Sequence, residues 1–422
     1  MQRSAPVFLL AVLALAGPAS AQQAPSSSVT LFGVVDASVS RYGVGRGSGP
    51  NGIVAGRHQT VLANGALNAS RLGFRGTEDL GGGLSAGFWL ESPLGNDSGS
   101  TQTRPLDFSR RSTVSLSGPF GEIRLGRDMV PTDWNDLQYS VFGPQSVGAT
   151  LVLQAAGRNL TGRPFLPGDG NAVRASNSLG YFLPKHLRGF HGQVMYAFHE
   201  NVRSAPALAG LPAGTGSTRG RYVGARFGYA RGPVDVALAV ADSTLGNLAG
   251  TLAPPYGFAQ WAAAYDARVR TASLGGSYDF GAVKLVGQVS RVRTRFEQPD
   301  LLNPANGRLR VGASDTAENR GWSLGAVVPV GTGQIMASYS RLAVRLPAMA
   351  GVLPQQPASA KLAVGYVHHL SKRTALYATA ARVRNRNGAA LAAGGVGNAQ
   401  TPIAGVSNAS ASGYDLGIRH AF

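Results

Sequence analysis

Two kinds of connection alternate along this chain, and that alternation constrains its fold more than any motif does. From Val29 onward, runs of about ten residues alternate apolar and polar side chains, as in "VTLFGVVDASVS" (29–40), "YVGARFGYA" (222–230) and "GWSLGAVVPV" (321–330). About ten residues is what a tilted strand needs to cross a bilayer. Short Gly- and Pro-rich connections lie at 77–83, 118–121, 184–192, 230–234, 279–283, 329–333 and 369–374. Long polar stretches fall between them, near 43–69, 92–109, 129–175, 200–219, 242–267, 296–320, 345–360 and 385–411. Seven short turns make seven hairpins, and a first strand from Val29 and a last one ending at Phe422 bring the strands to sixteen. An even number, with short turns at one rim and long loops at the other, predicts an all-β fold. It is a 16-stranded antiparallel transmembrane β-barrel with periplasmic turns and extracellular loops.

The hairpin "SRLGFRGTEDLGGGLSAGFWLES" (70–92) shows how the faces divide. Leu72 and Phe74 share one side of its first strand, with Arg71, Gly73 and Arg75 on the other; Leu84, Ala86, Phe88 and Leu90 then alternate with Ser85, Gly87, Trp89 and Glu91. In a barrel, lipid covers the apolar side and water meets the arginines. A secreted β-sandwich or β-helix is the alternative. No short repeat of the solenoid kind supports it, and a sandwich has no need of alternating short and long connections. With 44% hydrophobic and 14% charged residues, the chain is too apolar for disorder. It is also too evenly mixed for helical spans. Cysteine is absent, so disulfide and thiolate chemistry are excluded.

At the N-terminus, Arg3 precedes the apolar run "APVFLLAVLALAG", and small residues at Ala19 and Ala21 fit a signal peptidase site. Residues 1–21 are therefore expected to be a signal peptide, and 22–422 the barrel of an outer-membrane protein. "YDLGIRHAF" sets Tyr414, Leu416, Ile418 and Phe422 on one face. The last strand is expected to close against the first, with Phe422 in the interfacial aromatic girdle and needed for assembly.

A sixteen-stranded barrel encloses an aqueous channel, whose selectivity depends on its narrowest point. The longest connection, 129–175, has room to enter it. This third loop carries Asp133, Asp136 and Asp169, with Trp134, Tyr139, Phe142 and Phe165 to pack it on a wall, and also Arg158 and Arg163. Asp133 and Asp136 are expected to face a basic wall across the opening. Lumen parity puts Arg71 and Arg75 on that wall. Val114 and Leu116 outward add Arg111, and Ile123 and Leu125 outward add Arg124. Extending past the start of the strand holding Leu179 and Tyr181 adds Arg174; Arg226 and Lys284 share the parity further round. An arginine facing lipid at the midplane would cost about 2–4 kcal/mol, which favours these inward assignments.

Charge agrees: 39 Lys and Arg oppose 21 Asp and Glu, a net +18 that falls to +17 without Arg3. Only four of the basic residues are Lys, and guanidinium keeps its charge and grips carboxylate or phosphate in a fork. No basic run or basic-aromatic cluster points to nucleic acid. The expected partners are outer-membrane lipid, lipopolysaccharide, and small hydrophilic solutes, anions above all. Catalysis finds no footing among His58, His186, His191, His199, His368, His369 and His420. There is neither a Gly-x-Ser-x-Gly elbow nor a His-Glu-x-x-His pattern, and His368 and His369 point to opposite faces. No catalytic residue, metal or cofactor is expected. A solute-specific channel and an adhesin or receptor role stay open, the latter resting on the long loops.

The residues also resemble a family, the Gram-negative general porins typical of Neisseria, Burkholderia and Bordetella relatives. The resemblance rests on "SSVTLFGVVDASV" (27–39), the 70–92 hairpin, "SGPFGEIRLGRD" (117–128), "ASNSLGYFLP" (175–184) and the terminal "GIRHAF", in that order. It implies a sixteen-stranded homotrimeric channel whose third loop folds into the pore as a constriction.

Overall fold

A computed structural model of the chain describes residues 27–49, 52–99, 107–155, 171–199, 220–251, 262–296, 300–301, 309–310, 316–345, 356–394 and 406–422. Its main sheet has seventeen segments. In chain order they are β1 (Ser28–Val44), β2 (Arg57–Asn64), β3 (Arg71–Gly81), β4 (Leu84–Pro93), β5 (Arg111–Gly118), β6 (Gly121–Met129), β7 (Arg174–Phe182) and β8 (Phe190–Ala197). There follow β9 (Tyr222–Arg231), β10 (Val234–Thr251), β11 (Ala262–Asp279), β12 (Lys284–Phe296), β13 (Thr316–Val330), β14 (Gly333–Arg345), β15 (Ala358–His369), β16 (Thr374–Arg386) and β17 (Ala411–Ala421). From β3 onward each pairs antiparallel with the next, and β17 returns to β1 from Val34–Ala421 to Val44–Ala411. Both β2 and β3 pair with β1, so they are two halves of one stave. Seventeen segments thus form sixteen staves of a closed barrel, and closure leaves no sheet edge for lipid to meet.

Side-chain alternation separates the two surfaces. On β1, Leu31, Val35 and Val39 are exposed outward while Asp36, Ser38, Ser40 and Tyr42 are buried inward. Aromatic pairs flank the apolar band. Phe190 stacks on Phe227, and Tyr278 meets Phe280, near the short turns; Trp322 meets Tyr339 on the long-loop side.

Several strands run past the boundaries expected from sequence. The connection near 43–69 contains the whole of β2, and those near 242–267 and 296–320 lose their ends to β10, β11 and β13. The reason is chemical: above the lipid band the outward positions become polar, so a continuing strand reads as loop. Residues 65–70 are a different departure. Between the Ala37–Asn64 and Val34–Arg71 pairs, β1 advances by two intervening residues and its neighbour by six, so the surplus bulges inward. The Asp36 carboxylate holds the bulge, accepting from the amides of Leu67 (3.0 Å) and Asn68 (2.6 Å) and from the Tyr377 hydroxyl (2.5 Å).

Candidate functional site: a loop on one wall facing arginines on the other

The third loop begins with α1 (Pro131–Gln138), where Pro131 opens the helix and Asp133 in the first turn suits its dipole. Thr132, Asn135, Asp136 and Tyr139 fall at helical spacing and turn together to the wall of β8–β11. Asn135 accepts from Arg226 Nε (3.1 Å) and donates to Ser273 Oγ (3.1 Å), while the Tyr139 hydroxyl donates to Asp235 (2.7 Å). Beyond the helix the loop crosses the lumen face of the later strands. A short helix, α2 (Leu151–Ala155), lies against β12–β15.

The wall is notched to receive it. Gly275, Gly325, Gly365 and Gly413, on four different strands, lie under Tyr139, Val141, Phe142 and Val147 respectively, each where a Cβ would collide with the loop side chain. Two buried charges fasten the far end. Asp415 accepts from the Val147 amide (2.8 Å) and from Ser40 (2.7 Å), and Lys361 Nζ donates to the carbonyls of Ala149 (2.7 Å) and Ala393 (2.8 Å).

The opposite arc, β3–β7, carries the arginines. Register places Arg71 and Arg75 opposite Val34 and Thr30 of β1, on its inward parity, and Glu91–Arg111 and Ser115–Arg124 continue that face. Their surroundings differ. Arg124 is gripped by Glu122 (2.9 Å) and Asp128 (2.6 Å), above the Phe182 ring at 3.9 Å. Arg111 lies 4.4 Å over Trp89 and 3.7 Å from Asp128. Arg71 shares Glu91 with Arg110, at 3.8 and 2.6 Å. Arg75 is exposed, set over Phe32 (5.6 Å) and Trp89 (5.4 Å), and among the described residues it has no acidic partner.

The remaining expected residues fall as follows. Arg174 donates to the Arg110 carbonyl (2.7 Å) and feels the charges of Arg110, Asp133 and Glu91. It reaches that place through a bulge, with a register shift between Gly126 and Asp128 and a positive φ at Asn177, rather than by plain alternation. Asp133 and Asp136 are both buried rather than exposed to the opening. Asp136 is fully buried beside Asn135, which bonds Arg226 and Ser273 of the wall, while Asp133 is buried with its charge reaching Arg174 of the arginine arc. Burial and the Asp133 charge push the Asp136 carboxyl up to about 8, with the Ser273 hydroxyl pulling the other way. Trp134 is 40% exposed. Lys284 keeps the lumen parity beside the short turns, paired in register with Asp279. Asp169, Arg158, Arg163 and Phe165 lie outside the described residues.

Sequence reasoning missed Arg110, one residue ahead of β5, and Arg419, which bonds Asn68 of the bulge (3.4 Å). For Arg419 the signal existed: with Leu416 and Ile418 outward, alternation turns it inward. Among the described residues, no three His, Asp or Glu side chains converge as metal ligands would.

A closed sixteen-stranded barrel, with one loop laid across its lumen and charged side chains facing that loop, defines an outer-membrane diffusion channel. The model of the Gram-negative porin family matches residues 9–388. Outer membrane porin protein 32 of Delftia acidovorans is 35% identical, over 99% of both chains. An outer membrane porin protein of Bordetella pertussis is 28% identical, over 98% of this chain and 99% of its own. Among solved structures, an anion-selective porin from Comamonas acidovorans superposes with a TM-score of 0.68 at 31% identity, covering 94% of this chain and all of that one. The trimer form of OmpT from Vibrio cholerae shares the fold at 13% identity, with a TM-score of 0.60 over 94% of this chain and 99% of its own. The chain belongs to the Gram-negative porin family. It is an outer-membrane channel.

Proposed function

We propose that this channel passes small hydrophilic solutes by passive diffusion, prefers anions, and works as a homotrimer in contact with lipopolysaccharide after residues 1–21 are removed. No bond is made or broken in this reading. The observation that carries it is Arg75: an exposed guanidinium on the arc facing the third loop, with aromatic faces below it and, among the described residues, no carboxylate paired with it. Arg71, Arg110, Arg111, Arg124 and Arg174 stand with it against four acids, Glu91, Glu122, Asp128 and, beside Arg174, Asp133, so positive charge is in excess there. Two unit charges about 4 Å apart interact by about 4 kcal/mol at an intermediate dielectric, enough for one uncompensated arginine at a narrowing to bias passing ions. The anion-selective relative supports the sign of that bias, and the family resemblance supports the trimer. Planar-bilayer recording tests both. Opening in three steps and a reversal potential toward the anion are expected; single-step openings count against the trimer, and a cation-selective pore against the preference.

A further inference from the structure

On the lumen face of β1, β3 and β4, two aromatic rings and a guanidinium form a shelf. Arg75 and Trp89 are direct cross-strand partners, and Phe32 lies one lumen position away, opposite Gly73. The glycine makes room for the ring: a Cβ there would fall 2.3 Å from a carbon of Phe32, so the ring covers it. Trp89 meets Phe32 edge-on, with ring centres 4.9 Å apart and planes at 62°. The indole N–H donates to Glu91 (3.2 Å), and the Arg111 guanidinium stands over the same indole at 4.4 Å. Both rings are therefore held in place before any solute arrives.

Three arginines of this arc stand over aromatic rings, and two of them also meet a carboxylate. Arg124 lies 3.9 Å above Phe182, with Asp128 at 2.6 Å and Glu122 at 2.9 Å on its edges. Arg111 lies over Trp89 with Asp128 at 3.7 Å. Arg75 has the rings alone, Phe32 at 5.6 Å and Trp89 at 5.4 Å; among the described residues no carboxylate or other acceptor takes its N–H groups. It is exposed, so its hydrogen-bonding edge looks onto the channel. The next lumen row toward the short turns, Thr77, Gly87 and Ser115, is small and leaves room beside the pair.

We propose that this shelf is a binding subsite for aromatic carboxylates, with the carboxylate forked on Arg75 and the ring against Trp89 and Phe32. A small inorganic anion uses the guanidinium edge alone. A carboxylate carried on a flat ring uses that edge and adds a ring contact with the guanidinium and the indole. A saturated ring of similar size and equal charge has neither the flat face nor the quadrupole. The inference deepens the anion preference proposed above and rests on it. That preference needs only an uncompensated charge, whereas the subsite needs the rings as well. Binding is weak, as a site within a conducting pathway must be.

The test is planar-bilayer recording in KCl at neutral pH, with benzoate or cyclohexanecarboxylate added and the concentration that halves the current measured. Both acids are ionised and close in size. Wild type is expected to be half-blocked by benzoate at about tenfold lower concentration than by cyclohexanecarboxylate, the scale of one ring contact. Trp89→Leu should bring the two concentrations together. So should Arg75→Lys, which keeps the charge but not the planar fork, and whose exposed position puts no fold at risk. Trp322→Leu, which removes an indole from the outer face, should keep the wild-type ratio. Heat-modifiable migration confirms assembly of each variant. The reversal potential of wild type, taken in the same recordings, reads the ion preference separately. A cation-selective pore overturns both the preference and the subsite, whereas an anion-selective pore blocked equally by the two acids overturns the subsite alone. A benzoate advantage that survives in Arg75→Lys, or that Trp322→Leu abolishes, also overturns it.

Discussion

Arg75 and Arg124 point into the same lumen, yet the groups around them assign them different work. Glu122 and Asp128 hold both edges of the Arg124 guanidinium, so its charge is largely answered locally. Replacing Arg124 by Ser leaves the buried Asp128 with Arg111, at 3.7 Å, and the Met129 amide, at 2.8 Å, both on Oδ1, and takes away the partner of Oδ2. A cost of about 1–3 kcal/mol is expected from the buried carboxylate that loses this partner. It is measured as a lower temperature for loss of the folded band, with little change in ion preference. Arg75→Ser should do the reverse. Equal shifts of preference in the two variants, with unchanged stability, would remove the distinction. The facing of these residues was legible in the sequence, because a period of two anchored by Leu72, Phe74, Ile123 and Leu125 has one solution. Their partners were not. Glu91 reads as one more polar position, and only the register that sets it beside Arg110 and Arg71 shows which charges it offsets.

At the scale of elements, the third loop was legible as long and aromatic, but its face was not. The sequence shows Asp133 and Asp136 only as residues of a long loop; the structure puts them on α1, and the wall's glycines and Arg226 that decide how it turns come from strands far along the chain. The result is a buried carboxyl at Asp136, with a pKa raised from 3.8 to about 8. The docked loop thus keeps a proton that a freed loop would release. Docking has this support in full below about pH 4, and loses it as pH rises through about 8. Raising the pH from about 6 to about 9 should therefore loosen the loop and increase open-channel current noise. Asp136→Asn, which cannot ionise, should flatten that dependence. A wild-type trace as quiet at the higher pH, or noise that rises equally in Asp136→Asn, would show that this carboxyl does not govern the loop.

For the whole molecule, closure was readable from the ends of the pattern: an unpaired first strand and an unpaired last one must meet. They do, and Phe422 takes part through its own backbone, exchanging hydrogen bonds with Gly33 at 3.0 and 3.1 Å while its ring covers that glycine on the outer face. Deleting Phe422 should reduce the amount of heat-modifiable protein in the membrane, whereas shortening the connection between β16 and β17 by a few residues should not. Equal amounts after the Phe422 deletion would deny the residue a part in assembly. The inward bulge at 65–70 and the outward arginines Arg291, Arg293 and Arg295, which follow Val289 along β12, were hidden for a common reason. Each breaks the rule of apolar outside and polar inside, and a broken alternation in sequence is indistinguishable from a loop. The central claim is that positive charge facing the third loop, and not the basic balance of the whole chain, sets the ion preference. It is tested by reversal potentials across a KCl gradient for wild type, Arg71→Ser/Arg75→Ser and Arg386→Ser, the last on the outer face. Screening over about 8 Å at physiological salt separates the lumen charges from the outer one. Wild type should prefer anions, the lumen pair should move toward cations, and Arg386→Ser should hardly move; a cation-selective wild type, or equal shifts in the two variants, would contradict it.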